Sequence, residues 1–135
     1  MVVDQLTGLM WTGDGNAPGP ATCSPLSDVN RTWQGSLDYI ACLNTWNYLG
    51  YSDWRLPNVN ELESLVNAEQ GNIAIWLNGQ GFTNVQANWY WSSTSIAGYP
   101  NYAWTVEFWG GMYSDGGMGD GKTYIYYAWP VRGGQ

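Results

Sequence analysis

Two periodicities divide the chain. Its last third alternates apolar and polar residues with period two, and two stretches upstream repeat apolar residues every three to four positions. Trp89–Ser93, Ala103–Phe108 and Thr123–Val131 read as strands, separated by glycine-rich turns at Gly110-Gly111 and Gly116 to Gly121. In the middle strand Trp104, Val106 and Phe108 share one face and are expected in the core. Ala103, Thr105 and Glu107 share the other and are expected in solvent.

From about Arg31 to Asn47 the spacing is helical. Trp33, Leu37, Ile40 and Ala41 fall on one face, and Tyr39, Cys42 and Trp46 on nearly the opposite one. A helix apolar on two sides is covered on two sides, here by a sheet and by the loop that carries Cys23. Pro57 disfavours helix at Leu56. Asn58 with Glu61 three residues on then forms an Asn-x-x-Glu cap, and Leu62, Leu65 and Val66 supply the second helix's buried stripe. Leu6 to Trp11 reads as a short first strand, while 12–28 and 67–88 read as irregular. Strand, helix, helix, then strands predicts an α+β domain, two helices on a small twisted antiparallel sheet. No repeat or boundary divides residues 1–135.

Composition narrows the function. Of 135 residues, 11% are charged and 16% aromatic, with ten Trp and ten Tyr, which suits a packed globular domain rather than disorder. The net charge is −7, and Arg31, Arg55, Lys122 and Arg132, the only cations, are scattered singly. Nucleic-acid binding needs clustered cations, so it is excluded as a function, and anionic lipid is disfavoured on the same ground. No apolar run approaches the ~18 residues of a spanning helix, so no direct membrane insertion is expected. A signal or anchor would lie outside these residues.

Cys23 and Cys42 are the only cysteines. An even count in a Trp-rich, Lys-poor chain suits a disulfide and an extracellular setting; two buried thiols are the alternative.

Candidate chemistry is sparse. The chain has no His, so the commonest general base and metal ligand is missing. Ser92 and Ser93 therefore lack a His partner, and Lys122 is the one lysine. Glu61 and Glu63 diverge by more than half a turn on a helix and make a poor acid–base pair; a solvated Glu61 capping the helix is the simpler reading. Asp115 and Asp120 flank Gly116–Gly119, but the spacing fits no repeated calcium motif, so no cofactor is expected and calcium remains a weak alternative.

The aromatics divide by context. Trp11, Trp33, Trp54, Trp91 and Trp104 occupy patterned positions and read as core. Tyr99, Tyr102, Trp109, Tyr113, Tyr124, Tyr126 and Trp129 lie in or beside turns, among Gly, Asn, Ser, Asp and Thr, the composition of antibody-like contact loops.

Several segments resemble a known family in order along nearly the whole chain. They are Thr7–Trp11, Trp33 with Cys42, Gly50–Pro57 with Glu61-Leu62, Tyr90–Thr94, Ala103-Trp104 with Val106 and Phe108, Lys122, and Pro130–Gln135. The chain thereby resembles the C-terminal domain family of the Legionella collagen-like protein. The resemblance implies a C-type-lectin-like fold with paired termini and a role as surface adhesin or as variable protein of a diversity-generating retroelement. The catalytic cysteines of formylglycine-generating enzymes and the calcium–sugar motifs of calcium-dependent C-type lectins are absent, so neither activity is implied. One departure stands out: the family usually has Arg where this chain has Trp129, and replacing the adenine of an AGG codon gives TGG. Asn, Tyr, Ser, Asp, Gly, Thr and Ile are all reachable from AAC or AAT by replacing adenines. These types crowd the non-framework positions between Ile96 and Trp129.

The expected function is non-enzymatic recognition of a macromolecule, protein or glycan, on another cell surface, from a cell or virion surface. The contact residues expected on the strands are Tyr99, Asn101, Tyr102, Thr105, Glu107 and Trp109. From the turns and the last segment come Tyr113, Ser114, Asp115, Asp120, Tyr124, Tyr126 and Trp129. The alternative is an adhesin with a fixed glycan or glycosaminoglycan ligand. Arg55 is expected to be structural, paired with a carboxylate or with loop carbonyls.

Overall fold

The two ends of the chain meet in one sheet. Val2–Val3 (β1) pairs antiparallel with Leu9–Trp11 (β2), and β2 with Val131–Gly133 (β6), in the order β1-β2-β6. The computed structural model describes residues 1–23, 31–66, 69–109 and 120–133, with Asp120 described by its backbone alone. The paired termini of the expected fold class are present. The turn from β1 to β2 is organised by Asp4, whose Oδ1 accepts from the amide of Leu6 at 2.9 Å while its carbonyl accepts from Gly8 at 2.8 Å. A Cβ on Gly133, at φ +81, would lie 2.9 Å from the Gly8 carbonyl oxygen, so only glycine lets the last strand close this sheet.

The second sheet comprises Trp89–Ile96 (β3), Tyr99–Glu107 (β4) and Asp120–Gly121 (β5), antiparallel in that order. Its register sets Trp89 opposite Glu107, Tyr90 opposite Val106 and Trp91 opposite Thr105. Both of its faces are covered. Tyr90, Val106 and Phe108 join a core with Leu9, Trp11, Leu62, Ile73, Leu77, Phe82, Trp129 and Val131. Trp91 and Ala103 join a second core with Tyr39, Ile40, Leu43, Trp54, Leu56 and Ala128.

This corrects the reading of the middle strand. Ala103 and Thr105, expected in solvent, have no exposure, because the second core covers their face. Trp104, expected in the core, is half-buried and belongs to neither cluster. The segment Thr123–Val131 is also not one strand: Tyr126 bridges Arg31, Tyr127 bridges Tyr90, and only Val131 enters β6.

Helix α1 (Trp33–Thr45) starts where the Thr32 side chain accepts from the amide of Gly35 at 3.1 Å. Its buried residues are Ser36, Tyr39, Ile40 and Leu43, a single stripe at three- and four-residue spacing. The two-faced expectation is therefore corrected: Trp33 and Leu37 are half-buried at the rim, and Ala41 and Trp46 are exposed. The described part of the early loop covers the helix over Tyr39 and Leu43, while Trp46 is exposed. The Tyr39 hydroxyl donates to the Ala17 carbonyl, and a Cβ on Gly19 (φ +66) would lie 2.5 Å from Leu43 Cδ2. Cys23 and Cys42 are bonded, with Cα atoms 5.6 Å apart, which anchors this loop to α1.

Helix α2 (Val59–Glu63) carries the expected capping box between Asn58 and Glu61. A third helix, α3 (Ile73–Asn78), occupies part of the stretch read as irregular. Asn72 caps it by accepting from the Ile75 amide at 3.1 Å. Its free amides at Ile73 and Ala74 donate to the carbonyls of Trp109 and Phe108, at 3.1 and 2.9 Å, docking it on the chain leaving β4. Among the described residues no helix is long and apolar enough to cross a membrane.

Candidate recognition face

The expected contact residues do not form one patch. Trp129 is fully buried: its indole N–H donates to the Thr12 carbonyl at 3.0 Å, and its ring meets Phe82 at 5.0 Å, Trp11 at 5.4 Å, Tyr90 at 5.6 Å and Phe108 at 6.0 Å. It is a hub of the first core and not a contact residue. Thr105 likewise leaves the set, because it is buried opposite Trp91. Tyr113, Ser114 and Asp115 lie outside the described residues, and Asp120 is placed by its backbone pairing with Ala103. Tyr99, Asn101, Tyr102, Trp109 and Tyr124 are exposed; Glu107 and Tyr126 are half-buried.

The exposed residues divide between the two ends of β4, which spans roughly 26 Å at ~3.3 Å per residue. Trp109 and Glu107 stand at the α3 end. The other end is the more elaborate. A two-residue turn, Ala97-Gly98 with Gly98 at φ +82, returns the chain from Ile96 to Tyr99. The Tyr99 ring stands edge-on to Tyr102 at 6.3 Å. Tyr102 pairs with Gly121, and the Lys122 amide donates to the Asn101 carbonyl at 2.9 Å.

Lys122 then acts as a clamp. Its carbonyl accepts from the Trp33 amide at 3.1 Å, its Nζ lies 3.8 Å from the centroid of the Trp33 ring, and that Nζ donates to Ser95 Oγ at 2.7 Å. Four residues on, Tyr126 and Arg31 exchange both backbone hydrogen bonds, at 2.7 and 2.9 Å. The chain between these anchors holds Thr123, Tyr124 and Ile125 outward. Tyr126 sits beneath, its ring 5.0 Å from Trp91 and 6.1 Å from Tyr124, so it supports the face more than it forms it. Asn101, Tyr102, Gly121, Lys122 and Thr123 line a cleft of about 420 Å³.

Sequence reasoning missed Thr123 and Ile125 by assigning them to a strand, and missed the clamp. The one lysine, directly after Gly121 at the end of the glycine-rich turn, was the available signal for it. Lys122 reaches Ser95, not Ser92 or Ser93; Ser92 Oγ instead donates to the Trp104 carbonyl at 2.6 Å.

The remaining cations lock the framework. Arg55 grips Glu61 with two nitrogens, at 2.7 and 2.8 Å, and donates to the Gly133 carbonyl at 2.8 Å, as its structural role required. The guanidinium holds the Glu61 carboxyl below its ordinary range, and Glu61 in turn raises Arg55. Glu61 caps α2 as expected, but its side chain is 14% exposed, so it is not a solvated residue. Arg132 grips Asp53 at 2.6 and 3.0 Å and lies 3.8 Å over the Tyr51 ring, which lowers the Asp53 carboxyl. Arg31 lies 3.9 Å over Tyr39, whose hydroxyl burial pushes far above the usual tyrosine range. Among the described residues no cluster of His, Cys, Asp and Glu could hold a metal ion.

The family model of the Lcl C-terminal domain matches residues 1–132. The chain belongs to the Lcl C-terminal domain family. Comparisons with curated proteins and with solved structures give no match. Membership points to a ligand-binding or recognition domain. In this Lcl C-terminal domain the motifs that carry the family resemblance are framework. Asp53 and Arg132 join two of them, Arg55 joins Glu61 to Gly133, and the Pro57 carbonyl accepts from the Ser93 amide at 2.8 Å.

Proposed function

We propose that this Lcl C-terminal domain is a recognition module with a C-type-lectin-like scaffold, displayed outside the cell or on a virion. It binds a macromolecular ligand through Tyr99, Asn101, Tyr102, Thr123, Tyr124 and Ile125, by contact and shape. It needs no chemistry and no resident cofactor. One observation carries the reading: side chains that the core does not use are held outward on backbone that the core clamps, between Lys122 and Tyr126. A rigid backbone with exposed tyrosines gives large contact area at low entropic cost. The Cys23–Cys42 bond supports an oxidising location.

The face further suits a variable protein of a diversity-generating retroelement. The four residue types at its six positions, Tyr, Asn, Thr and Ile, are all reachable from AAC or AAT by adenine replacement, while Ala103, Val106, Phe108 and Lys122 do core or clamp work. Trp129 gives no support to that reading, since its side chain is buried.

The test is a display library randomised at the six positions. Most members are expected to fold with cooperative melts near the parent's and to yield binders to unrelated targets. Loss of folding across the library would sink the proposal. A neighbouring template repeat whose adenines fall on codons 105 and 129, instead of these six, would sink the assignment of the face.

A further inference from the structure

We infer that the ligand of this face is cationic: an arginine- or lysine-rich segment of a partner protein, seated with its charged groups over the exposed tyrosine rings. The inference rests on the recognition role proposed above and narrows its ligand.

The first observation is that the chain has spent its own cations. Arg55 is committed to Glu61 and Gly133, Arg132 to Asp53 and Tyr51, Arg31 lies over Tyr39, and Lys122 is held between Trp33 and Ser95. Lys122 is the cation that borders the cleft, and its ammonium already has two partners there. An anionic polymer such as a sulfated polysaccharide would have to break one of these locks to gain an ion pair. Recognition of polyanions depends on cations free to displace counterions, and this fold offers them no such group.

The second observation is charge balance. Eleven acids against four cations leave −7, so the domain's long-range field draws positive partners and repels negative ones. The third is the chemistry of the face. The fold seats three of its own cations on aromatic rings at 3.8 to 3.9 Å. Tyr99, Tyr102 and Tyr124 present the same kind of surface outward, and the three cations that stack within this chain lie over Tyr39, Trp33 and Tyr51 instead. A guanidinium is weakly hydrated and stacks readily on such rings, so field and contact select the same partner.

The test titrates the intact domain with three probes at low salt: a deca-arginine peptide, heparin, and an uncharged glycine–serine peptide of equal length. Binding is expected for deca-arginine alone and is expected to weaken steeply in 0.5 M salt. Tyr102→Ala with Tyr124→Ala leaves net charge unchanged and is expected to weaken deca-arginine binding at least tenfold. The paired Phe replacements keep the rings and are expected to stay within about threefold of the parent. Melting curves establish that both variants fold. Heparin binding as tightly as deca-arginine would overturn the inference. So would parental affinity in the paired Ala variant, since attraction would then come from net charge alone. Either failure would leave the recognition role standing if the randomised library folds and yields binders; a library that does not fold would remove both.

Discussion

Trp129 donates its indole N–H to the carbonyl of Thr12, joining the last segment of the chain to the segment after β2 at the centre of an aromatic cluster. With no exposed surface and four ring neighbours within 6.0 Å, it has no low-cost replacement. Trp129→Ala is expected to destabilise the domain by roughly 3 to 5 kcal/mol, the loss from truncating a large buried aromatic. Urea denaturation followed by far-ultraviolet circular dichroism measures it. A loss under ~1 kcal/mol would return Trp129 to the surface, among the contact residues.

Arg55 and Glu61 give a stability that depends on pH with a definite sign. The Glu61 carboxyl is held below its ordinary value of 4.5 in the folded state, chiefly by the Arg55 hydrogen bonds. Its contribution is therefore fully present above that value and disappears as pH falls through the lower, folded one. Asp53, lowered by Arg132, has the same sign. Stability is expected to decline from about pH 4.5 downward, and more shallowly in Arg55→Ala. At pH 7 that variant is expected to lose more than ~1 kcal/mol, a modest figure because the pair is part-exposed. Parallel acid limbs for parent and variant would show that the pair does not set the slope.

The bond between Cys23 and Cys42 joins residues 19 apart and holds the loop whose Ala17 carbonyl accepts from the Tyr39 hydroxyl. In the chain-entropy picture a closure of that size contributes about 3 kcal/mol. Reduction is expected to lower the melting temperature by several degrees. Titration of the unfolded, unreduced protein is expected to find no free thiol; two thiols would refute the bond.

The parts of this fold legible in the sequence are those encoded locally. Asn58 and Glu61 lie three residues apart, the distance of a capping box, so both partners appear in one window. Paired termini came only with the family resemblance. What stayed hidden depended on partners far along the chain. Thr105 alternates with Val106 as a surface residue would, and only the long-range packing of its face, where its neighbour Ala103 and its cross-strand partner Trp91 join the second core, decides that it is buried. Trp46 looks core-facing on a helical wheel, yet it is exposed, and the described part of the early loop meets Tyr39 and Leu43 instead. The six-residue α3 is too short to display a period, although Asn72 before an apolar run and Gly79 after it mark its two ends.

Tyr102 and Thr105 separate the face from the core within one strand, and comparing them tests the proposed site before any ligand is known. Tyr102 is 38% exposed beside a cleft, with Gly121 opposite it and no place in either core cluster. Surface changes of this kind usually shift stability by no more than ~0.5 kcal/mol, so Tyr102→Ser is expected to melt close to the parent. The same holds for Tyr99→Ser and Tyr124→Ser, and the three are expected to combine without loss of cooperativity. Thr105 has no exposure and sits opposite Trp91, whose indole N–H is committed to the Arg31 carbonyl at 2.8 Å. A larger side chain there must displace the second core, so Thr105→Tyr is expected to cost roughly 1 to 3 kcal/mol or more by overpacking. Thermal melts of the four single variants and the triple variant give the comparison directly. A stable Thr105→Tyr alongside an unfolded Tyr102→Ser would mean that β4 presents its opposite face to solvent, and the site at its turn end would have to be abandoned.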